Sequence, residues 1–464
     1  MSVALKFLGG ARIVTGSSHL VSTAKSRVLL DVGLFQGKRD EFYKVNSTFN
    51  FNPRQINAVV ISHAHIDHCG NLPTLVKNGL RCKVYSTSAT KDIARLMLED
   101  AGKIQEEDIR YVNKINRRLG LPLRRPLYTQ KEALQVSRIF RALSYGQRFK
   151  ITQDIHVTLF DAGHILGSAI VVLDCLDGRS SLSIGYAVDL GRRNLPLIGN
   201  PVVPKGLDYL VLEGTYGGRL HESIKNTKSQ LREVINRTYL RGGKIIIPAF
   251  SLERTQEVLY YLNELLKDKA IPFLPIYVDS PLATEITKEF INHVSYLNHK
   301  TQRDIRRNEG PFEFINLRYV RNQQESKALN DDKRPMVIIA GSGMCESGRI
   351  LHHLKHNIED SRNTILIVGF MAKDTLGRKL VERQPTVPIF GITYQLNAEV
   401  VVLNSFSGHA DKKELLSFVR RCLPLKGVFL VHGEEDQLAS LYKELNKKGI
   451  KASIPYKNEQ VQLN

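Results

Sequence analysis

The sequence predicts an α/β protein with two kinds of sheet, a β-rich mixed part first and a parallel α/β part after it. Three observations carry this reading. Short β-rich runs crowd the start of the chain. From about Glu213 strands and helices alternate strictly, and those strands are apolar throughout. At 464 residues, 42% of them apolar, the chain has room for two or three domains and a large core.

In order, ALKFLGG, HLVSTA, RVLLDVG and INAVVIS read as strands. A helix follows from about Ala89 to Leu119 and is broken by LPLRRP; residues 131–143 read as a further helix. IHVTLFDAG, SLSIGYAVD and LDYLVLEG are strand candidates, so the first part reads as mostly antiparallel β with helices. Beyond it come a helix, KIIIPAF, a helix over 252–267, PIYVDS, a helix, PMVIIAGS, a helix over 346–358, NTILIVGF and a helix. Fully apolar strands separated by helices indicate a parallel sheet covered on both faces. EVVVLNSF through KASIPYK reads as two further βα units and a last strand. There is no internal repeat and no low-complexity linker.

No apolar stretch is long enough to span a bilayer, and the first 20 residues lack the features of a signal peptide. Cys69, Cys82, Cys175, Cys345 and Cys422 are scattered and form no CxxC. That argues against a disulfide framework and for a reducing cytoplasm. Sixty-six Lys and Arg against 46 Asp and Glu leave a net charge of +20. Such an excess favours a polyanionic partner such as nucleic acid, although a basic surface without any partner has the same composition.

The stretch VVISHAHIDHCGNLP, residues 59–73, places His63, His65, Asp67 and His68 directly after an apolar strand. Imidazole and carboxylate are good ligands for zinc-like ions. On a loop at a strand end these four can converge, and the strand supplies a rigid base. A histidine-rich surface loop is the bland alternative, and four ligand-type residues at this spacing make it a poor one.

HAHIDH resembles the HxHxDH signature of the metallo-β-lactamase fold, and further motifs of that fold follow in order: Asp31 in LLDVG, His164 in DAGHILGS and Asp189 in YAVDLG. Val188 stands where the family usually has glycine, which predicts local repacking with the carboxylate retained. EGTYG with Glu213, SFSGHAD with His409 and FLVHGEED with His432 resemble motifs A, B and C of the β-CASP nucleases, a branch of that superfamily acting on nucleic acids. ATKDIARLMLEDAGKIQEED, PAFSLERTQE, VDSPLATE, GSGMCESGRILHHL and NTILIVGFMAKDTLGR are also similar to this family, so the resemblance covers nearly the whole chain. Two more departures are EGTYG for the commoner ESTYG, and Glu253 where a glycine is usual.

The resemblance implies an αββα metallo-β-lactamase sandwich with an inserted parallel α/β β-CASP domain. Residues 1–210 and 394–464 would form the sandwich and 211–393 the insert, a lid over the metals. His63, His65 and His164 would hold one Zn2+, and Asp67, His68 and His432 the other. Asp189 would bridge them, and Asp31 would orient a ligand histidine. Two metals can activate a hydroxide and stabilise both attack and departure at phosphorus. Asp67, Glu213 and His409 would be the catalytic residues, Glu213 and His409 as the pair that protonates the leaving oxygen. A histidine at motif C goes with RNA-processing members, so His432 points to RNA, single-stranded by preference. Ser342, Gly343 and Arg349 of GSGMCESGR are candidate phosphate contacts at a helix N-terminus. KINRRLGLPLRRP and TQRDIRR are candidates for backbone contacts to RNA. His352 and His356 share a helix face without an acidic partner, which reads as a surface or phosphate-side helix. A homodimer is compatible with the sequence and no membrane partner is expected. The competing readings are a thioester or lactone hydrolase of the same fold, and an inactive RNA-binding subunit.

Overall fold

Along the strand Val3–Gly9 every second side chain, Val3, Leu5 and Phe7, is fully buried, and this period of two organises the first unit of the protein. The computed structural model describes residues 3–178, 180–372 and 374–464, together with the backbone alone of Arg39; Lys373 of the NTILIVGFMAKDTLGR motif thus lies outside the described residues. The chain forms two compact units, one from residues 1–193, 200–220 and 409–464, the other from 194–199 and 221–408.

The first unit holds two seven-stranded sheets. One runs in the order Gln460–Leu463, Val3–Gly9, Ser18–Ser22, Arg27–Leu30, Ala58–Val60, Lys83–Ser86, Phe140–Ala142. The other runs Ala452–Ser453, Gly427–Val431, Tyr209–Glu213, Ser180–Ala187, Ala169–Asp177, Ile155–Asp161, Arg148–Lys150. Alternate residues of both sheets, among them Val28, Leu30, Val60, Val157, Val171, Ile184 and Val431, meet in one core between them. The opposite parity of the second sheet, including Ile170, Val172, Leu210, Leu212 and Leu430, packs on Leu415, Phe418, Leu438 and Leu441 of the helices Lys412–Cys422 and Glu435–Lys447. Each such fully buried side chain contributes about 1.5–3 kcal/mol. On the first sheet's side the long helix Ser88–Leu119 buries Ile93, Ala94 and Leu98. This is the αββα sandwich that the sequence resemblance implied.

Three sequence expectations need correction. Pairing is antiparallel in one half of each sheet and parallel in the other, not mostly antiparallel. Parallel neighbours need crossovers, and segments such as the helix Arg39–Ser47 supply them. The helix expected over 131–143 is Gln130–Val136, opened by a capping box of Thr129 and Glu132. It then gives way to a strand, Phe140–Ala142, because pairing with Lys83–Ser86 outweighs the local helical pattern. Ala169–Asp177, at the middle of an antiparallel stretch, is a strand the sequence reading passed over.

The second unit holds a six-stranded, wholly parallel sheet in the order Leu317–Tyr319, Ile276–Asp279, Val337–Ala340, Ile245–Pro248, Thr364–Ile367, Glu399–Val402. Its three central strands are buried at every residue, as their unbroken apolar runs predict. Its last strand, Glu399–Val402, comes from the stretch that the sequence reading placed at the start of the closing segment. No helix among the described residues is long and apolar enough to cross a membrane.

Candidate metal centre

Every donor suggested by the sequence sits where a strand ends. The buried strand Ala58–Val60 releases His63 and His65 into a turn, and Asp67 and His68 lie on the short helix Ile66–Cys69 behind it. Residues 32–34 clamp that turn: the Val32 N–H donates to the His68 carbonyl at 2.8 Å and the Leu34 N–H to Ile66 at 2.9 Å. A Cβ on Gly33 would fall 1.7 Å from the Asp67 carbonyl oxygen, so the close approach needs glycine. Asp31, His164, Asp189 and His432 follow the strands Arg27–Leu30, Ile155–Asp161, Ser180–Ala187 and Gly427–Val431. Asp31, Asp189 and His432 have φ of +58°, +61° and +46°. Left-handed backbone of this kind costs a side-chain-bearing residue about 1–3 kcal/mol, a cost that clusters at functional sites.

These turns bring two groups of donors together. In the first, His65 Nδ1 lies 3.1 Å from His63 Nε2 and 3.3 Å from His164 Nε2. Asp189 Oδ2 lies 3.2, 3.4 and 3.9 Å from His63 Nε2, His164 Nε2 and His65 Nδ1. In the second, His68 Nε2 lies 3.4 Å from His432 Nε2 and 3.9 Å from Asp67 Oδ2, which is itself 3.4 Å from His432 Nε2. Asp189 Oδ1 faces this group, 3.5 Å from His68 Nε2. The two oxygens of Asp189 thus address different groups.

The residues fit a metal. Three imidazoles converge on one carboxylate oxygen, and a single cation among them would satisfy their lone pairs together. Asp189 Oδ1 is buried and makes no well-directed hydrogen bond among the described residues, although His432 Nδ1 lies 3.1 Å from it. Tetrahedral zinc bonds of ~2.0–2.1 Å put neighbouring ligand atoms ~3.3 Å apart, close to the spacing of the first group.

A buried network sets the tautomers. Asp31 accepts hydrogen bonds from the Ser62 N–H at 2.7 Å, Ser62 Oγ at 2.8 Å, His68 Nδ1 at 2.7 Å and Tyr186 Oη at 2.9 Å. His68, donating from Nδ1, keeps a bare Nε2 for the second group. Ser62 Oγ, having given its proton to Asp31, accepts from His63 Nδ1 at 3.0 Å, which bares His63 Nε2 for the first. Thr215 Oγ1 donates to the His432 carbonyl at 3.0 Å. Sequence reasoning singled out Asp31 but missed Ser62, Tyr186 and Thr215. Each lies inside a quoted motif, and Tyr186 also has the inward parity of its strand. Asp31→Asn should weaken metal affinity roughly 10–100-fold, the range for losing such a partner. Competition against a chromophoric chelator measures it, and unchanged affinity would remove Asp31 from this role.

Electrostatics fit the donor chemistry. Burial, then neighbouring His68, pushes the His63 imidazole down to about 4, and burial with His409 pushes His164 well below its usual value. Burial opposes the charge on Asp189, but His432, His68 and His409 outweigh it and hold the carboxyl well below its usual range. For His68, burial opposes a charge but Asp189, Asp67 and Asp31 hold the imidazole well above its usual value, so a cation entering the second group would displace the proton on Nε2.

His409 belongs to none of the donor groups, whereas Glu213, its partner, also lies within reach of Asp189 and His432. Glu213 is fully buried at the end of the strand Tyr209–Glu213, and its Oε1 accepts the Leu190 N–H. Its oxygens lie 3.1 and 3.3 Å from His409 Nδ1. The His409 ring centroid is 4.7 Å from that of His164. Burial alone would lower the His409 imidazole, yet Glu213 and Asp189 carry it up to about 9.

The three departures from the family pattern have structural counterparts. Val188 is buried in the core between the sheets. A Cβ on Gly214 would sit 2.4 Å from a methyl of Leu438, so that leucine fills the space. Glu253 has φ +66°, a conformation that favours the glycine usual there.

In the second unit, Ser342 and Gly343 lie on the loop between Val337–Ala340 and the helix Arg349–Asn357. Arg349 is not loose: its guanidinium pairs with buried Asp279, at 2.5 Å. Asp279 also accepts from His353 Nε2 and Ser326 Oγ, both at 2.6 Å. His353, on the same helix as His352 and His356, is therefore a buried strut beneath the loop. His352 lies against Phe390, with ring centroids 4.8 Å apart. Of the basic runs, Arg117, Arg118, Arg124 and Arg125 are exposed, as are Arg303, Arg306 and Arg307.

An αββα sandwich with histidine and aspartate donors at its strand ends defines a metallo-hydrolase of the metallo-β-lactamase class. Three family profiles match: a metallo-beta-lactamase superfamily domain over residues 20–193, a Beta-Casp domain over 255–380, and a Zn-dependent metallo-hydrolase RNA specificity domain over 393–455. Ribonuclease TTHA0252 of Thermus thermophilus is 37% identical over 96% of each chain. Transcription termination factor FttA of Pyrococcus horikoshii is 32% identical over 98% of this chain and 70% of its own. A crystal structure of a protein of unknown function from Enterococcus faecalis shares the fold over all of both chains, at a TM-score of 0.56 and 13% identity. The chain belongs to the β-CASP family of metallo-β-lactamase-fold nucleases.

Proposed function

We propose that this protein is a metal-dependent ribonuclease that hydrolyses phosphodiester bonds with two zinc ions, Glu213 and His409 assisting the leaving group. The observation that carries it is His409, a proton donor that pairs with Glu213 and stands beside the donor groups but outside them. The ribonuclease at 37% identity, the RNA specificity profile and the net charge of +20 support RNA as the substrate.

His63, His65 and His164 would hold one metal and Asp67, His68 and His432 the other, with Asp189 within reach of both. Bound zinc supplies Lewis acidity at phosphorus and an activated water. Asp67 would accept a hydrogen bond from the attacking water and so orient it. His409 holds a proton on the nitrogen facing away from Glu213 and delivers it to the departing 3′-oxygen. Glu213 keeps the imidazole charged and oriented. Ser342 and Gly343 contact a substrate phosphate, and Arg349 adds the N–H donors not engaged by Asp279. Five unpaired thiols, four of them buried, fit a reducing cytoplasm.

End-labelled RNA, single-stranded DNA and duplex DNA offered to zinc-loaded protein test the assignment. RNA should be cut in preference to duplex DNA, and binding should weaken with salt at a log–log slope of roughly −0.7 per phosphate neutralised. Preferential cleavage of duplex DNA, or salt-independent binding, would overturn the substrate. Hydrolysis of thioesters or lactones with RNA untouched would turn the reading toward the other hydrolases of this fold.

A further inference from the structure

Three neighbouring strands of the parallel sheet, Val337–Ala340, Ile245–Pro248 and Thr364–Ile367, end side by side. Ligands of open α/β sheets gather at such carboxyl ends. The middle strand is followed by Phe250 and Ser251, and its neighbours by Gly341, Ser342 and Gly343 on one side and Gly369 and Phe370 on the other. A Cβ on Gly343 would lie 2.7–2.9 Å from ring atoms of Phe250, and one on Gly369 would lie 3.5 Å from that ring. Phe250 therefore rests on backbone that carries no side chains. It is nonetheless 38% exposed, and Phe370 is 50% exposed. Beside them Ser251 Oγ and Ser280 Oγ lie 3.2 Å apart, and a Cβ on Gly341 would touch both. An aromatic ring seated on glycines and edged by hydroxyls has the composition of a nucleotide subsite.

We propose that Phe250 is a stacking platform for one nucleobase of the bound strand, with Phe370 beside it and the Ser251–Ser280 hydroxyls edging the sugar–phosphate. This rests on the reading of the protein as a ribonuclease. Stacking on an aromatic face tolerates any base, because every base has a π-face, so the subsite contributes affinity without sequence preference.

Phe250→Leu keeps an apolar side chain on the glycines and removes the ring; Phe250→Trp keeps a ring. For RNA, the leucine variant should raise KM roughly tenfold, within the range for losing one base–aromatic stack, with kcat nearly unchanged. The tryptophan variant should restore KM. Hydrolysis of bis(p-nitrophenyl) phosphate, which has no base, should be the same in all three proteins. A series of RNAs with one abasic site moved along the strand then locates the contact. At one position the wild type should lose its advantage over Phe250→Leu, while at the others the tenfold gap should persist. A gap that persists at every position, or a leucine variant equal to wild type on intact RNA, overturns the stacking role. Wild-type protein that cleaves the aryl ester but no RNA overturns the ribonuclease reading instead, so the two failures are distinguishable.

Discussion

His409→Ala should slow RNA cleavage roughly 10²–10⁴-fold, the range for losing a general acid, while both metals stay bound. The metal count should hold because His409 belongs to neither donor group. The loss should be large because the buried Glu213 carboxylate, 3.1 Å from His409 Nδ1, favours the protonated imidazole. A phosphodiester's 3′-oxygen needs that proton to leave. Glu213→Gln should act on the same step, since it removes the charge that keeps His409 protonated. The double variant should therefore lose less than the product of the two single losses. An aryl phosphodiester leaves without a proton, so His409→Ala should cut it almost as fast as wild type. His432→Ala should harm both substrates, because it strips a donor from the second group. The ratio of RNA to aryl-ester rates across these variants decides. Equal impairment of both substrates by His409→Ala, with metals intact, would make His409 a phosphate-binding or structural residue.

Removing metal should abolish both activities and lower the melting temperature. Protein never exposed to chelator should contain about two zinc ions per chain. At a thousandfold excess of free metal over its Kd, one site contributes about 4 kcal/mol to stability. For a unit of this size that is on the order of 10 °C. The effect should be large because a metal would satisfy imidazoles that face one another 3.1–3.4 Å apart and offset the strain of Asp31, Asp189 and His432, whose φ exceed +40°. Asp189→Ala should reduce occupancy of both sites together, since its two oxygens address different groups. Calorimetry and elemental analysis with and without zinc check both statements. A melting temperature indifferent to zinc, in protein without metal, would overturn the two-metal assignment.

Much of this was legible from the chain alone because the informative residues are local. His63, His65, Asp67 and His68 lie within six positions after an apolar strand, and strand ends are where rigid elements release side chains. The apolar strands of the second unit read correctly because a strand buried on both faces has no polar alternation to blur it. The helix expected over 131–143 stopped at Val136 because a sheet edge, remote in sequence, offered Phe140 better pairing than another helical turn.

The sequence by itself determined which chemistry this chain can perform, since ligand types, the Glu213 and His409 motifs and the excess of positive charge are properties of composition and order. Tertiary structure alone decided which nitrogen faces which. His68 and His432 are 364 residues apart, and the tautomer of His68 depends on Asp31, itself held by Ser62 and Tyr186. It alone decided that Arg349 is tied to Asp279 and that Phe250 packs on two glycines with part of its ring exposed. The physical reason is the same throughout. A motif specifies what a side chain can donate or accept, but hydrogen bonds and packing act over a few ångströms, and only the folded chain brings their partners within that range.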